Sequence, residues 1–200
     1  RLSMDGPSRF IWRRGDKATL YGLPFLKDIK RTGKVILVEG ESDAWTLWHH
    51  RIPALGVPGA STWKEDFCRY IDGVETYAWR EPDDGGDNLL HAVSQDLPDV
   101  RVIQAPPDAK DPSDLYLLDP DNFKERMLAL IEAARPFSEL RAEAFSAEAR
   151  ECLAKARTLL HSPDVLDQLK DAIRATGFAG DTRPALMSYF AITSRLLQAP

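Results

Sequence analysis

Cysteine is scarce in this chain: 200 residues carry only Cys68 and Cys152, far apart and in no C-x-x-C pair. That argues against a disulfide framework or a cysteine-built zinc site and fits a cytosolic protein. Long apolar runs are missing too. None approaches the roughly 20 residues that span a bilayer, and no charged-then-apolar leader opens the chain. A cytoplasmic protein with no membrane partner is therefore expected. No G-x-x-x-x-G-K-[ST] loop occurs, so this stretch holds no P-loop ATPase. Histidine gives no metal pair. His49 and His50 are adjacent and face different directions on a helix, while His91 and His161 are isolated. Internal repeats and low-complexity segments are absent. The chain opens on Arg1 and stops at Pro200, so we expect a piece of something longer.

What is present is an apolar content of 44%, enough for one sizeable core or a core with a satellite. The net charge of −5 is unevenly spread. Residues 1–34 hold nine basic and three acidic side chains, and residues 35–134 hold eight basic and twenty acidic ones. Residues 135–200 are nearly balanced, with nine and eight. A basic arm on an acidic middle suits a polyanion held near bound metal. The plainer reading is an acidic surface with a solvated basic tail.

Strand-like runs alternate with helix-like ones. Residues 34–39, 53–57, 74–79 and 100–105 read as strands. Residues 42–50, 63–70 and 87–96 read as helices, with Ser42 as N-cap of the first and a Gly85-Gly86 turn before the third. Such β-α-β alternation predicts a parallel sheet covered by helices on both faces. Residues 113–118 and 120–134 read as further helices, the second with Phe123, Met127, Leu130 and Ile131 on one face. Pro136 breaks the pattern. Beyond it, 138–160, 163–176 and 183–197 form a helical module, with a Ser162-Pro163 start and a Gly177 stop.

The informative residues lie where the first and third strands end. Val35-Ile-Leu-Val-Glu39-Gly40-Glu41-Ser42-Asp43 is followed by Glu81-Pro-Asp83-Asp84-Gly85-Gly86. In open α/β sheets ligands sit at the carboxyl ends of the strands. Carboxylates gathered there repel one another unless a cation joins them, and oxygen-only ligands suit Mg²⁺ or Mn²⁺. Glu81 and Asp83, two apart in an extended segment, point to one side and can share an ion. Asp84 points elsewhere. Asp43 either orients a ligand or complements its helix dipole; Glu41 ranks lower. Asp111 reads as the N-cap of a helix begun by Pro112, with Lys110 available to a phosphate. Each cluster has a duller alternative: Glu39 as a helix-capping residue, Glu81-x-Asp83 as an acidic surface turn. The five tryptophans read as core or sheet packing, with Trp12, in Trp12-Arg13-Arg14, as the one candidate for base stacking.

Together these residues resemble the TOPRIM domain, the metal-binding module shared by topoisomerases and primases. A strand ending in Glu39-Gly40 is followed by an acid-x-acid pair before glycine, Glu81-Pro-Asp83-Asp-Gly-Gly86. The match is nearer to bacterial DnaG-type primases and their phage and plasmid relatives. Residues 10–23, ending Leu20-Tyr21-Gly22-Leu23, look like the primase segment ahead of the TOPRIM strand. Gly56-Val-Pro-Gly59-Ala-Ser-Thr62 resembles the loop after the second strand, and Lys110-Asp-Pro-Ser-Asp-Leu115 the closing Lys-Asp-Pro motif. The family's usual Asp at the first position of the pair is Glu81 here. By this resemblance, most of the amino-terminal lobe of the primase core and any zinc module are expected to lie outside the given residues, and template capture and initiation with them. Residues 178–200 look like the connector ahead of the ATPase in mobile-element primase-helicases.

The resemblance implies a basic remnant of the core lobe at 1–33, a TOPRIM domain at 34–135 and a helical connector at 136–200. It implies an α/β fold and DNA-directed primase activity, with Glu39, Glu81 and Asp83 catalytic. These three and Asp43 would hold Mg²⁺ or Mn²⁺, and Arg13, Arg14, Lys17 and Lys110 would meet template or nucleotide phosphates. Single-stranded DNA, nucleoside triphosphates and a fused or associated helicase ATPase are the implied partners, in a nucleoid or mobile-element setting. Alternatives are a TOPRIM nuclease using the same acids, or a non-catalytic nucleic-acid-binding or helicase-docking module.

Overall fold

A computed structural model describes residue 15 and residues 17–194. The segments read as strands form β1 (Lys34–Glu39), β2 (Ala54–Val57), β3 (Glu75–Arg80) and β4 (Arg101–Gln104). All four run parallel in the order β2-β1-β3-β4. A fifth strand, β5 (Arg135–Pro136), pairs antiparallel with β4 at the edge. The expected parallel sheet is therefore mixed. Two residues carry no strand pattern, and an edge strand tolerates a proline that donates no hydrogen bond.

Alternate strand residues enter two cores, one on each face of the sheet. Val35, Leu37, Leu55, Val57, Ala78 and Val102 join one. Ile36, Val38, Ala54, Tyr77, Trp79 and Ile103 join the other. The first core is closed by Ile29 of α1 (Leu26–Thr32), Ile71 of α3 (Cys68–Ile71) and Leu89, Leu90 and Val93 of α4 (Asp84–Asp96). The second is closed by Leu47 of α2 (Glu41–His49), Leu115 of α5 (Pro112–Leu118) and Phe123 and Met127 of α6 (Phe123–Glu132). Near-continuous apolar strands are what burial on both faces requires.

Several helix starts differ from the sequence reading. Gly40, not Ser42, is the N-cap of α2. With φ +83° it turns the chain from β1 into α2 with no loop residue, and its N–H bonds the Val57 carbonyl at 3.1 Å. Gly85 and Gly86 lie inside the first turn of α4, whose N-cap is Asp83. The helix read over 63–70 is a 3₁₀ turn (Glu65–Phe67) followed by the single-turn α3.

Ahead of β1, Tyr21 exchanges backbone hydrogen bonds with Gly56 of β2, at 2.8 and 3.0 Å, which fastens the Leu20-Tyr21-Gly22-Leu23 segment to the sheet edge.

Contacts divide the chain into two compact units, with the boundary between Glu143 and Ala144. It falls inside α7 (Phe137–Leu160). The second unit continues with α8 (Val165–Ala175) and α9 (Thr182–Ser194), the latter burying Thr182 and Leu186. Gly177 stops α8 as expected, its N–H on the Arg174 carbonyl. Ser162 caps no helix directly; its hydroxyl oxygen accepts from Gln168 at 2.7 Å, and Asp164 is the N-cap. Among the described residues no helix is long and apolar enough to cross a membrane.

Candidate metal centre

From β1 the chain turns to β2 on one side, and from β3 to β4 on the other. The carboxyl ends of β1 and β3 thus flank the point where strand order reverses, the crevice where α/β sheets bind ligands. Glu39 ends β1 and Glu81 follows β3 directly. Asp43 reaches the same crevice from the first turn of α2, and Asp111 from the N-terminus of α5.

Asp43, Glu81 and Asp111 each place a carboxylate oxygen within 4.8 Å of the others. Oxygens across one ion at about 2.1 Å per bond lie about 4 Å apart, so small side-chain adjustments bring the three onto a single ion. This trio overlaps the expected set in Asp43 and Glu81, and Asp111 is the addition. Glu39 and Asp83 lie close enough to act through charge. Burial raises the Glu39 pKa, and the carboxylates of Asp83 and Asp43 raise it further. Glu81 is pushed up to about 7 by burial first, then by Glu39. Asp43 is raised by its burial, and hydrogen bonds from Ser113 work against that. Desolvated carboxylates that repel one another are stabilised by a cation placed among them.

The acids differ in what holds them. Asp43 Oδ1 accepts the Ser113 hydroxyl at 2.6 Å and the Ser113 N–H at 3.1 Å. Asp111 Oδ1 accepts the Asp114 N–H at 2.7 Å, which makes it the expected α5 cap, and its Oδ2 lies 3.1 Å from Lys110 Nζ. Asp83 Oδ1 accepts the Gly86 N–H at 2.9 Å. Glu39 Oε1, by contrast, is buried and accepts no hydrogen bond from the described residues. A buried carboxylate oxygen without a donor is costly unless something else coordinates it. All-oxygen donors, a desolvated orphan oxygen and mutual repulsion together fit a hard divalent ion.

Glu81 and Asp83 do not share one environment. Glu81 is half-buried in the crevice, whereas Asp83 is exposed and spends one oxygen on the α4 cap, leaving the other available. Gly86 explains the spacing. A Cβ there would lie 2.4 Å from the Glu81 carbonyl oxygen and 2.6 Å from its nitrogen, so only glycine lets α4 begin against the Glu81 backbone. Asp84 is exposed in the first turn of α4.

Lys110 is exposed, its charge strengthened first by Asp111, and it eases the charge on Glu39, Asp43 and Glu81. The Trp79 indole fixes that loop by donating to the Lys110 carbonyl at 2.8 Å. Lys17 is exposed. Trp12, Arg13 and Arg14 lie outside the described residues. Sequence reasoning missed two features. Ser113 was read only as part of the Lys-Asp-Pro motif, and Asp111 only as a cap. Trp45, read as packing, is 60% exposed.

No protein-family model matches the chain. Among curated proteins, the Gene 57 protein of Mycobacterium phage D29 is 33% identical over 103 residues, covering 51% of this chain and 66% of that protein. Among solved structures, a DnaG primase catalytic domain bound to single-stranded DNA superposes with TM-score 0.54 and 25% identity, over 71% of this chain and 46% of that one. The RNA polymerase domain of Mycobacterium tuberculosis primase DnaG superposes with TM-score 0.55 and 19% identity, over 86% and 59%. A primase domain from Pseudomonas aeruginosa gives 0.53 and 22%, over 71% and 46%. This chain spans about half the length of the primase chains it matches.

Proposed function

We propose that this chain, which has the TOPRIM-type fold of DnaG primase catalytic domains, supplies the metal-dependent nucleotidyl-transfer site of a primase that extends primers on single-stranded DNA. The observation that carries the proposal is the convergence of Asp43, Glu81 and Asp111 at the strand-order reversal, beside a buried Glu39 oxygen that accepts no hydrogen bond from the described residues and feels the charge of Asp43 and Glu81.

In this reading Glu39 and Glu81, the acids without other partners among the described residues, are the primary ligands. Asp43 and Asp111 are held ready by Ser113 and by the α5 turn, and Asp83 contributes its free oxygen. A divalent ion held by these residues would supply Lewis acidity for the attacking 3′-hydroxyl and charge balance for the triphosphate. The protein's own share is positioning and charge balance. Lys110 meets nucleotide phosphate from the rim, and Lys17, Arg13 and Arg14 contact phosphates of template or nucleotide. A partner ATPase and a phage- or plasmid-like setting belong to the same proposal.

The test uses charge-removing variants that keep the local hydrogen bonds. Asp83→Asn still caps α4, unlike Asp83→Ala, which would also lose about 1 kcal/mol of capping. With Mg²⁺, nucleotides and a labelled primer on single-stranded template, the full-length protein is expected to lengthen the primer. Glu39→Gln, Glu81→Gln and Asp83→Asn are expected to lose that activity while remaining folded. Shortening of the label in place of extension would identify a nuclease using the same acids.

A further inference from the structure

The solvent-facing side of α2 carries a large aromatic with no burial to explain it. Trp45 stands two residues after Asp43 and is 60% exposed. Its one polar group is already satisfied, because the indole N–H donates to the Tyr21 hydroxyl at 2.6 Å. Tyr21 is itself immobilised, through its backbone pair with Gly56 of β2 and by stacking on Trp48 at 5.4 Å. Phe25 also packs on Trp48, with ring centroids 4.3 Å apart. Trp45 is thus tied through its indole N–H to an aromatic cluster anchored at the β2 edge, its ring 6.3 Å from that of Tyr21 and tilted 56° to it, with most of its surface open to solvent.

We infer that Trp45 is a stacking platform for an unpaired base of single-stranded nucleic acid, beside the metal centre. A rigid, edge-anchored aromatic face is what base stacking uses, and it works for any base. Lys17, four residues before Tyr21 in the chain, is exposed and available to a phosphate, whereas Arg31 and Lys34 are paired with Asp28 and Glu75. Glu41 lies one turn before Trp45 on the same helix face and repels phosphate, which keeps a strand's backbone off that side. Tyr21 pairs with Gly56, one residue before Val57, the β2 register partner of Glu39, so the platform stands at the carboxyl end of the sheet that carries Glu39. The inference rests on the proposed function for its choice of ligand, and its test is separate.

Binding of a labelled dT12 oligonucleotide to the full 200-residue chain is measured for wild type, Trp45→Phe and Trp45→Leu. The comparison is repeated with a twelve-unit oligonucleotide of equal charge whose central bases are replaced by abasic sites. Trp45→Leu is expected to weaken dT12 binding about tenfold, and Trp45→Phe much less. The abasic oligonucleotide is expected to bind wild type weakly and to be indifferent to Trp45→Leu, because both changes remove the same contact. Unchanged Mn²⁺ affinity in Trp45→Leu separates loss of stacking from a disturbed fold. Equal affinity of wild type and Trp45→Leu for dT12, an equal loss on both oligonucleotides, or no binding of dT12 by wild type overturns the inference. If Trp45→Leu fails to fold, equal wild-type affinity for the two oligonucleotides overturns it. Failure of primer extension with these binding results intact counts against the nucleotidyl-transfer reading alone.

Discussion

Ser113 donates twice to one oxygen of Asp43, from its hydroxyl at 2.6 Å and its backbone N–H at 3.1 Å. The two residues are seventy positions apart, and the pair locks the start of α2 against the start of α5. Both bonds favour the ionised form of a buried carboxylate. Ser113→Ala removes one of them. It is expected to lower stability by about 1–3 kcal/mol in urea denaturation and to move Mn²⁺ binding to higher pH, because Asp43 then ionises less readily.

The pH dependence of the metal-free protein follows from raised carboxylates. Glu39, Asp43 and Glu81 all bind protons more tightly in the folded protein than in the unfolded chain, and Glu81 titrates near 7. Stability contributed this way is lost as pH rises from about 4.5 through about 7. His50, lowered mainly by burial, works in the opposite sense below its ordinary value of 6.5. The contrast with Glu81→Gln isolates the effect. In EDTA, wild type is expected to lose more Tm between pH 5.5 and 8 than the variant does. Mn²⁺ is expected to restore most at the alkaline end, where it does not compete with protons.

Gly86 is the strictest position in the acid-x-acid segment. Alanine there collides with the Glu81 backbone rather than with a movable side chain. Gly86→Ala is expected to cost about 1–3 kcal/mol and to weaken Mn²⁺ binding at least as much as Glu81→Gln, since it displaces the carboxylate's own backbone. Titration calorimetry with Mn²⁺ checks it. Wild-type affinity in a folded Gly86→Ala protein would detach Glu81 from the metal site.

The sheet was legible because β1 and β3 are apolar runs that stop at acids, and a strand buried on both faces has no other pattern. The acids themselves were readable for the same reason. What escaped the sequence depended on geometry between segments. Asp83 and Asp111 each accept the N–H three residues ahead, in Asp83-Asp-Gly-Gly86 and Asp111-Pro-Ser-Asp114. That shared pattern was read correctly as a cap only where Pro112 announced a helix. The glycines of the other copy suggested a turn, although Gly86 serves a close approach. Nothing local could show that Asp111 meets Glu81, since that contact depends on β3 and β4 being neighbours. Trp45 was misread because helical spacing alone does not tell which face of α2 the sheet covers. The two-residue β5 is too short to carry any period.

The most direct test is anomalous diffraction from crystals soaked in Mn²⁺. The account predicts a peak in the crevice between the carboxyl ends of β1 and β3, within about 2.1 Å of carboxylate oxygens from Glu39 and Glu81, with Asp43, Asp83 or Asp111 completing the shell. An empty crevice at millimolar Mn²⁺, or a peak bound by neither Glu39 nor Glu81, would contradict it.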